Sequence, residues 1–177
     1  MLAACDHIPG GGLLPILAVA SAGLVAGCGP EDEPAMRDRL GQYFSLRDTV
    51  AYEARRPCVA GVFRLADDQV KAAMPVANGV GEMLALLARE DLALLKDRGH
   101  SPDAAFVTVM NVERARGMQM RRAGLEARAC MDATIETAFR HALDGVGNMV
   151  AYDVKSGLLM LVDRRNRLLV VARGAQA

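Results

Sequence analysis

The stretch Leu13 to Cys28, LLPILAVASAGLVAGC, carries no charge and ends in small residues followed by a cysteine. An apolar run of this kind must leave water, either inside a core or in a bilayer. Its most apolar part, Leu13 to Val25, has the length of an export-signal core. It is short for a membrane-spanning helix, which needs about 20 residues. Ala26 and Gly27 are small enough for an extended backbone to enter a peptidase cleft, and Cys28 offers a thiol beside the cut.

The segment Val25-Ala26-Gly27-Cys28 resembles the lipobox of bacterial lipoproteins. The resemblance implies that the peptide 1–27 is a signal peptide that is removed, and that Cys28 is acylated on sulfur and on its new N-terminus. Two or more acyl chains anchor stably where one is marginal. Residues 28–34, with Gly29-Pro30-Glu31-Asp32-Glu33-Pro34 after the cysteine, then form a lipidated polar tether, and 35–177 a single domain. Gly29 stands where the sorting rule of enteric lipoproteins reads Asp for inner-membrane retention, so the outer membrane is favoured. One feature departs from the pattern: MLAACDHIPGGG has no Lys or Arg before the apolar core, where an export signal is basic. A true start lying upstream of Met1 would account for it. Two other readings stay open. Ile8 to Gly27 is uncharged and could be an uncleaved anchor, although Pro15 and Gly10-Gly11-Gly12 weaken it as a helix, or it could be a buried core segment.

Under the lipoprotein resemblance, Cys5 leaves with the signal and Cys28 is lipidated, so Cys58 and Cys130 remain. An even pair in an oxidising compartment implies a Cys58–Cys130 disulfide. The alternative is two buried thiols acting as small apolar groups.

The chain has 177 residues, and 177 − 27 = 150 after the signal is removed, the size of one ordinary domain. Hydrophobic residues make up 52% but aromatics only 4%, so Ala, Leu, Val and Met must fill the core. Of 21 acidic residues only Asp6 precedes Cys28, which leaves 21 − 20 = +1 on the mature part. That balance excludes the strong basic footprint of a dedicated nucleic-acid binder. The expected partner is the membrane, through the lipid at Cys28; no protein partner is legible.

Periodicity then orders the domain. A short helix is expected over Ala35 to Ser45, strands over Thr49 to Arg56 and Cys58 to Leu65, and a short helix capped by Asp67 and stopped by Pro75. Val76 to Gly79 reads as a turn. Gly81 to Arg98 reads as an amphipathic helix with Leu84, Leu87, Ala88, Leu92 and Leu95 on one side and Gly99 as its cap. Ser101-Pro102-Asp103 starts a helical pattern that continues to Leu143, with an interruption near Gly117. Its second half carries the stripe Ala127, Met131, Ile135, Phe139 and Leu143, with Cys130 beside it. Strands over Val150 to Val154, Leu158 to Asp163 and Arg167 to Arg173, joined by short turns, form an antiparallel meander. The expected fold is therefore α+β: an antiparallel sheet of about five strands, two early and three late, with helices packed on one face.

Candidate chemistry is sparse. A thiol–histidine enzyme needs Cys58 or Cys130 beside His100 or His141. On one continuous helix Cys130 and His141 would be about 16 Å apart and no dyad unless the helix breaks; Cys58 with His100 stays open. Two Cys and two His without clustered spacing do not suggest zinc. Met118 and Met120, two apart on a helix, point to different sides and read as core rather than as a copper site. Asp67-Asp68 and Glu90-Asp91 read as a cap and a wet face. Gly79-Val80-Gly81 is too short for a phosphate loop. Arg114, Arg121 and Arg128 recur every seven residues, either as a basic stripe for anionic headgroups or as a solvated face neutralised by Glu113, Glu126 and Asp132. No cofactor, metal or catalytic residue is expected.

Through Phe44-Ser45-Leu46-Arg47-Asp48-Thr49 and Arg56-Pro57-Cys58-Val59-Ala60-Gly61-Val62-Phe63 the body resembles small uncharacterised lipoproteins of alphaproteobacteria, a resemblance that implies no activity. The expected function is that of a lipid-anchored periplasmic envelope protein with a binding or structural role. The alternatives are an envelope enzyme using a Cys58 thiol and a binder of a small apolar ligand.

Overall fold

The computed structural model describes residues 31–175. Among them the order is α1 (Glu33–Gly41), β1 (Phe44–Arg55), β2 (Cys58–Val70), β3 (Val76–Ala77), α2 (Val80–Glu90), β4 (Leu92–Leu95), α3 (Pro102–Val112), α4 (Arg114–Ala127), α5 (Ala133–Asp144), β5 (Met149–Asp153), β6 (Leu158–Asp163) and β7 (Leu168–Arg173). The α+β class holds, but the sheet has seven strands, in the order β1-β2-β7-β6-β5-β4-β3. It is mixed rather than wholly antiparallel, because β3 runs parallel to β4.

The meander β5–β7 forms as its apolar runs and short turns require. Asp153 accepts from Lys155 N and Ser156 N at the first turn, and Asp163 accepts from Asn166 N and Nδ2 at the second. These strands are apolar on both sides, so the sheet needs cover on both. Val150, Tyr152, Leu159, Leu161, Val170 and Ala172 pack under α2 to α5. Met149, Ala151, Leu158, Met160, Val162, Leu169 and Val171 belong to a second cluster with Met36 and Leu40 of α1 and with Phe44, Leu65 and Met74. Helices therefore do not lie on one face alone; α1 serves the opposite one.

Several segments differ from expectation, among them Val76–Ala77, a strand rather than a turn, and Phe44 to Asp48, the start of β1. The expected helix after Asp67 is strand: β2 runs to Val70, and Asp68 Oδ2 accepts from Arg164 Nε at 2.8 Å, tying the hairpin to the β6–β7 turn. The register of β1 on β2 slips between Phe44 and Ala51, and such bulges bend a hairpin. Gly81 to Arg98 is not one helix. α2 ends at Glu90, Asp91 takes a left-handed φ of 59°, and Leu92–Leu95 pairs with β5. In a helix, four successive apolar residues would point all round and leave some in water. As a strand, Ala93 and Leu95 enter one cluster and Leu94 the other. Gly99 is accordingly not a helix cap.

The long helix breaks at Glu113 rather than at Gly117, and again after Ala127 in a 3-10 turn, Arg128–Cys130. Gly117 is instead a packing glycine: an added Cβ would lie 2.7 Å from Met110 N and 2.8 Å from Met110 Cα, so its absence lets α4 close on α3. Asp132 lies before α5 rather than on a continuous wet face; its carboxylate accepts from Ile135 N at 2.7 Å as the N-cap.

Candidate functional site

The 3-10 turn carries Cys130 to the start of β2, where it is bonded to Cys58 with Cα atoms 5.9 Å apart. Cys58 is 3% exposed and Cys130 fully buried, so the bridge is a core element. A bonded Cys58 has no thiolate to offer as a nucleophile. His100 is not its partner either; it pairs with Asp97 at 2.8 Å on the surface. The Gly99 N–H first, and then that bond, hold the Asp97 carboxyl below the usual range. Among the described residues no group of three or more His, Cys, Asp or Glu could hold a metal. Met118 is exposed and Met120 fully buried, so they share no site. Cys5, Cys28 and the run Leu13 to Gly27 lie outside the described residues. Among those described, no helix is long and apolar enough to cross a membrane.

Two features were not read from the sequence. The first is a latch at Glu31, in the segment assigned to the tether. Its carboxylate meets Arg39 Nη2 at 3.1 Å and Arg173 Nη1 at 2.9 Å, and the Tyr52 hydroxyl donates to the Glu31 carbonyl at 2.6 Å. Burial, then the Glu31 charge, push Tyr52 up to about 12. Asp32 caps α1 by accepting from Ala35 N, and the Thr49 hydroxyl donates to Glu33. Glu31 to Pro34 therefore belong to the fold. The cap was legible as an Asp before Glu33-Pro34; the partners of Glu31 are distant in sequence and left no local signal.

The second is a polar hollow of about 290 Å³ bounded by Gln119, Arg122 and Glu126 of α4, Tyr152 of β5, Lys155 and Gly174. Tyr152 is 4% exposed, and burial raises its hydroxyl. Glu126 Oε2 and, nearby on α4, Arg116 Nε are buried without a hydrogen bond to another of the described residues. Across the sheet from this hollow lies the latch, since Gly174 directly follows Arg173. A separate hollow of about 420 Å³ runs beside α5, with Val50, Val62, Ala138 and Leu168 in its walls.

Neither family models, curated proteins nor solved structures yield a match to this chain.

Proposed function

We propose that the chain is a lipid-anchored protein of the bacterial envelope, attached through Cys28 after loss of 1–27, facing the periplasm and favouring the outer membrane, with a binding or structural rather than catalytic role. The observation that carries this reading is the buried Cys58–Cys130 bond, because such bonds persist in oxidising compartments and are rare in a reducing cytosol. It leaves Cys28 as the remaining cysteine of the mature chain. Intact-mass analysis and membrane fractionation of the wild type and Cys28→Ala test it. The wild type is expected in the membrane fraction, lacking 1–27 and carrying acyl mass, with Cys28→Ala unacylated. A wild type that retains 1–27 and bears no lipid refutes it.

The apolar hollow beside α5 favours a second reading, a binder of a small apolar ligand. A rise in melting temperature with fatty acids, abolished by Val50→Asp, supports that role, and no rise removes it.

A further inference from the structure

One end of the sheet gathers several elements. Val59 pairs with Arg173 at the end of β7, and Glu31 is latched to that same Arg173. Cys58, beside the β1–β2 turn at Arg56-Pro57, is bonded to Cys130 of the 3-10 turn. An added Cβ on Gly174 would meet the Glu126 side chain of α4. The last turns of α4, the β1–β2 turn and the point where the chain enters the fold therefore share this end.

Its surface is unusual in what it leaves unpaired. Met118, Arg121, Arg122, Leu125 and Arg128 fall within one arc of the helix direction and are all exposed, Leu125 at 58% and Met118 at 47%. The nearby carboxylates are already engaged: Glu126 with Arg122, Glu136 with Arg128, Glu53 with Arg55, and Glu31 with Arg39 and Arg173. Arg56 and Arg121 make no ion pair or hydrogen bond with another of the described residues. Near-neutral composition thus conceals a local surplus of arginine around two exposed apolar side chains.

We infer that this end of the domain, with Arg56, Arg121 and Leu125 at its centre, seats on the anionic headgroups of the bilayer that holds the anchor. The inference rests on the lipidation reading for its geometry. Cys28 precedes Glu31 by three residues, a reach of about 10 Å at most. A domain latched at Glu31 is therefore kept at the membrane surface. Guanidinium groups pair with phosphate oxygens, and Leu125 and Met118 enter the headgroup boundary. The attraction is screened beyond about 8 Å at physiological salt, so only a surface beside the anchor profits from it.

The test uses the full chain, purified after processing and reconstituted in vesicles of phosphatidylcholine with or without phosphatidylglycerol. Leu125→Cys or Val146→Cys supplies the single free thiol for a fluorophore; Val146 is exposed at the opposite end of the sheet. A headgroup-located quencher is expected to quench the label at 125 and spare that at 146, more strongly with phosphatidylglycerol. Arg56→Glu with Arg121→Glu should reduce the surface-bound population by about 25-fold or more, at about fivefold per arginine. Arg98→Glu, at the far end, should leave it unchanged. Equal quenching at both positions, or indifference at 125 to vesicle charge and to the arginine pair, overturns the inference. Intact mass on the same sample reads the anchor separately. A lipidated chain unquenched at 125 loses this surface and keeps the anchor; a chain found unlipidated, relabelled with Cys5 and Cys28 changed to Ser, that still shows arginine-dependent quenching keeps this surface and loses the anchor.

Discussion

Breaking the Cys58–Cys130 bond is the most informative perturbation of the fold. The two residues are separated by 72 positions, and the bond ties β2 to the turn between α4 and α5. Closing a loop of that length removes conformational entropy from the unfolded chain worth about 4 kcal/mol at 25 °C. Domains of this size have about 5–15 kcal/mol in all, so the bond supplies a large share of the total. Reduction leaves two buried thiols, which are tolerated as small apolar groups, so the folded state itself changes little. Urea unfolding of the oxidised protein, the reduced protein and the variant with both cysteines changed to Ala should show midpoints falling together. A melting-temperature drop of about 8–16 °C should accompany them, at about 2–4 °C per kcal/mol. A loss below about 1 kcal/mol in both the reduced and the Ala forms would refute the reasoning. It would mean that the unfolded chain is not restrained by the bond, or that native packing gains from its loss what the unfolded chain gains.

Other consequences follow from single contacts. Asp68→Asn should cost about 1 kcal/mol at neutral pH, since its bond to Arg164 is partly exposed. Arg164 holds the Asp68 carboxyl below its ordinary value. The stability from this pair is therefore present above the unfolded carboxylate range and lost as pH falls through the lower folded value, so acid unfolding curves of wild type and variant should converge at low pH. Gly117→Ala gains about 1 kcal/mol of helix propensity but drives a methyl into the Met110 backbone, so chemical denaturation should show a net loss of about 1–3 kcal/mol. Tyr52 titrates near 12, with burial the larger cause and the Glu31 charge the second. Its contribution is full below the ordinary tyrosine range and is lost as pH rises through 12. Glu31→Gln should lower the Tyr52 titration in tyrosinate absorbance without returning it to the ordinary value.

What the sequence disclosed and what it concealed have physical causes. The meander was legible because Lys155-Ser156-Gly157 and Arg164-Arg165-Asn166 make sharp polar breaks between apolar runs. The α3 start was legible because Ser101-Pro102-Asp103 combines a cap, a helix-compatible proline and a favourable charge. The cysteine pair was legible by parity, once the lipobox resemblance set Cys5 and Cys28 aside. β4 was hidden because Leu92–Leu95 uses good helix formers that continue the α2 stripe, and only the open edge of β5 makes it a strand. The extension of β2 through Asp67 and Asp68 was hidden because local chemistry favours a cap there, whereas Arg164, far along the chain, is what holds it extended. The helix breaks near Glu113 and Arg128 carry no Pro. Of the candidate sites, the disulfide was foreseen; the latch and the polar hollow depend on partners that no window of sequence brings together.

The latch has a structural reason that begins in the meander. Because β5 to β7 are apolar on both faces, the face away from α2–α5 must be covered, and α1 is the helix that contributes to it. Met36 and Leu40 are fully buried there, although α1 is otherwise polar. A nine-residue helix with so few apolar side chains is too short to hold itself. It is pinned by the Asp32 cap, the Glu33–Thr49 bond and the Glu31 pairs with Arg39 and Arg173. The segment that looks like a free tether is thus the clamp on half of the core. Leu40→Ala should cost about 2–5 kcal/mol, as for a fully buried leucine. Glu31→Ala should leave the interior packing intact but raise opening of α1. In hydrogen exchange, amides of α1 should lose protection while those of β6 and β7 keep theirs. Equal loss in α1 and the central strands would show that α1 and the sheet open only together, and that Glu31 stabilises the whole fold rather than its first helix.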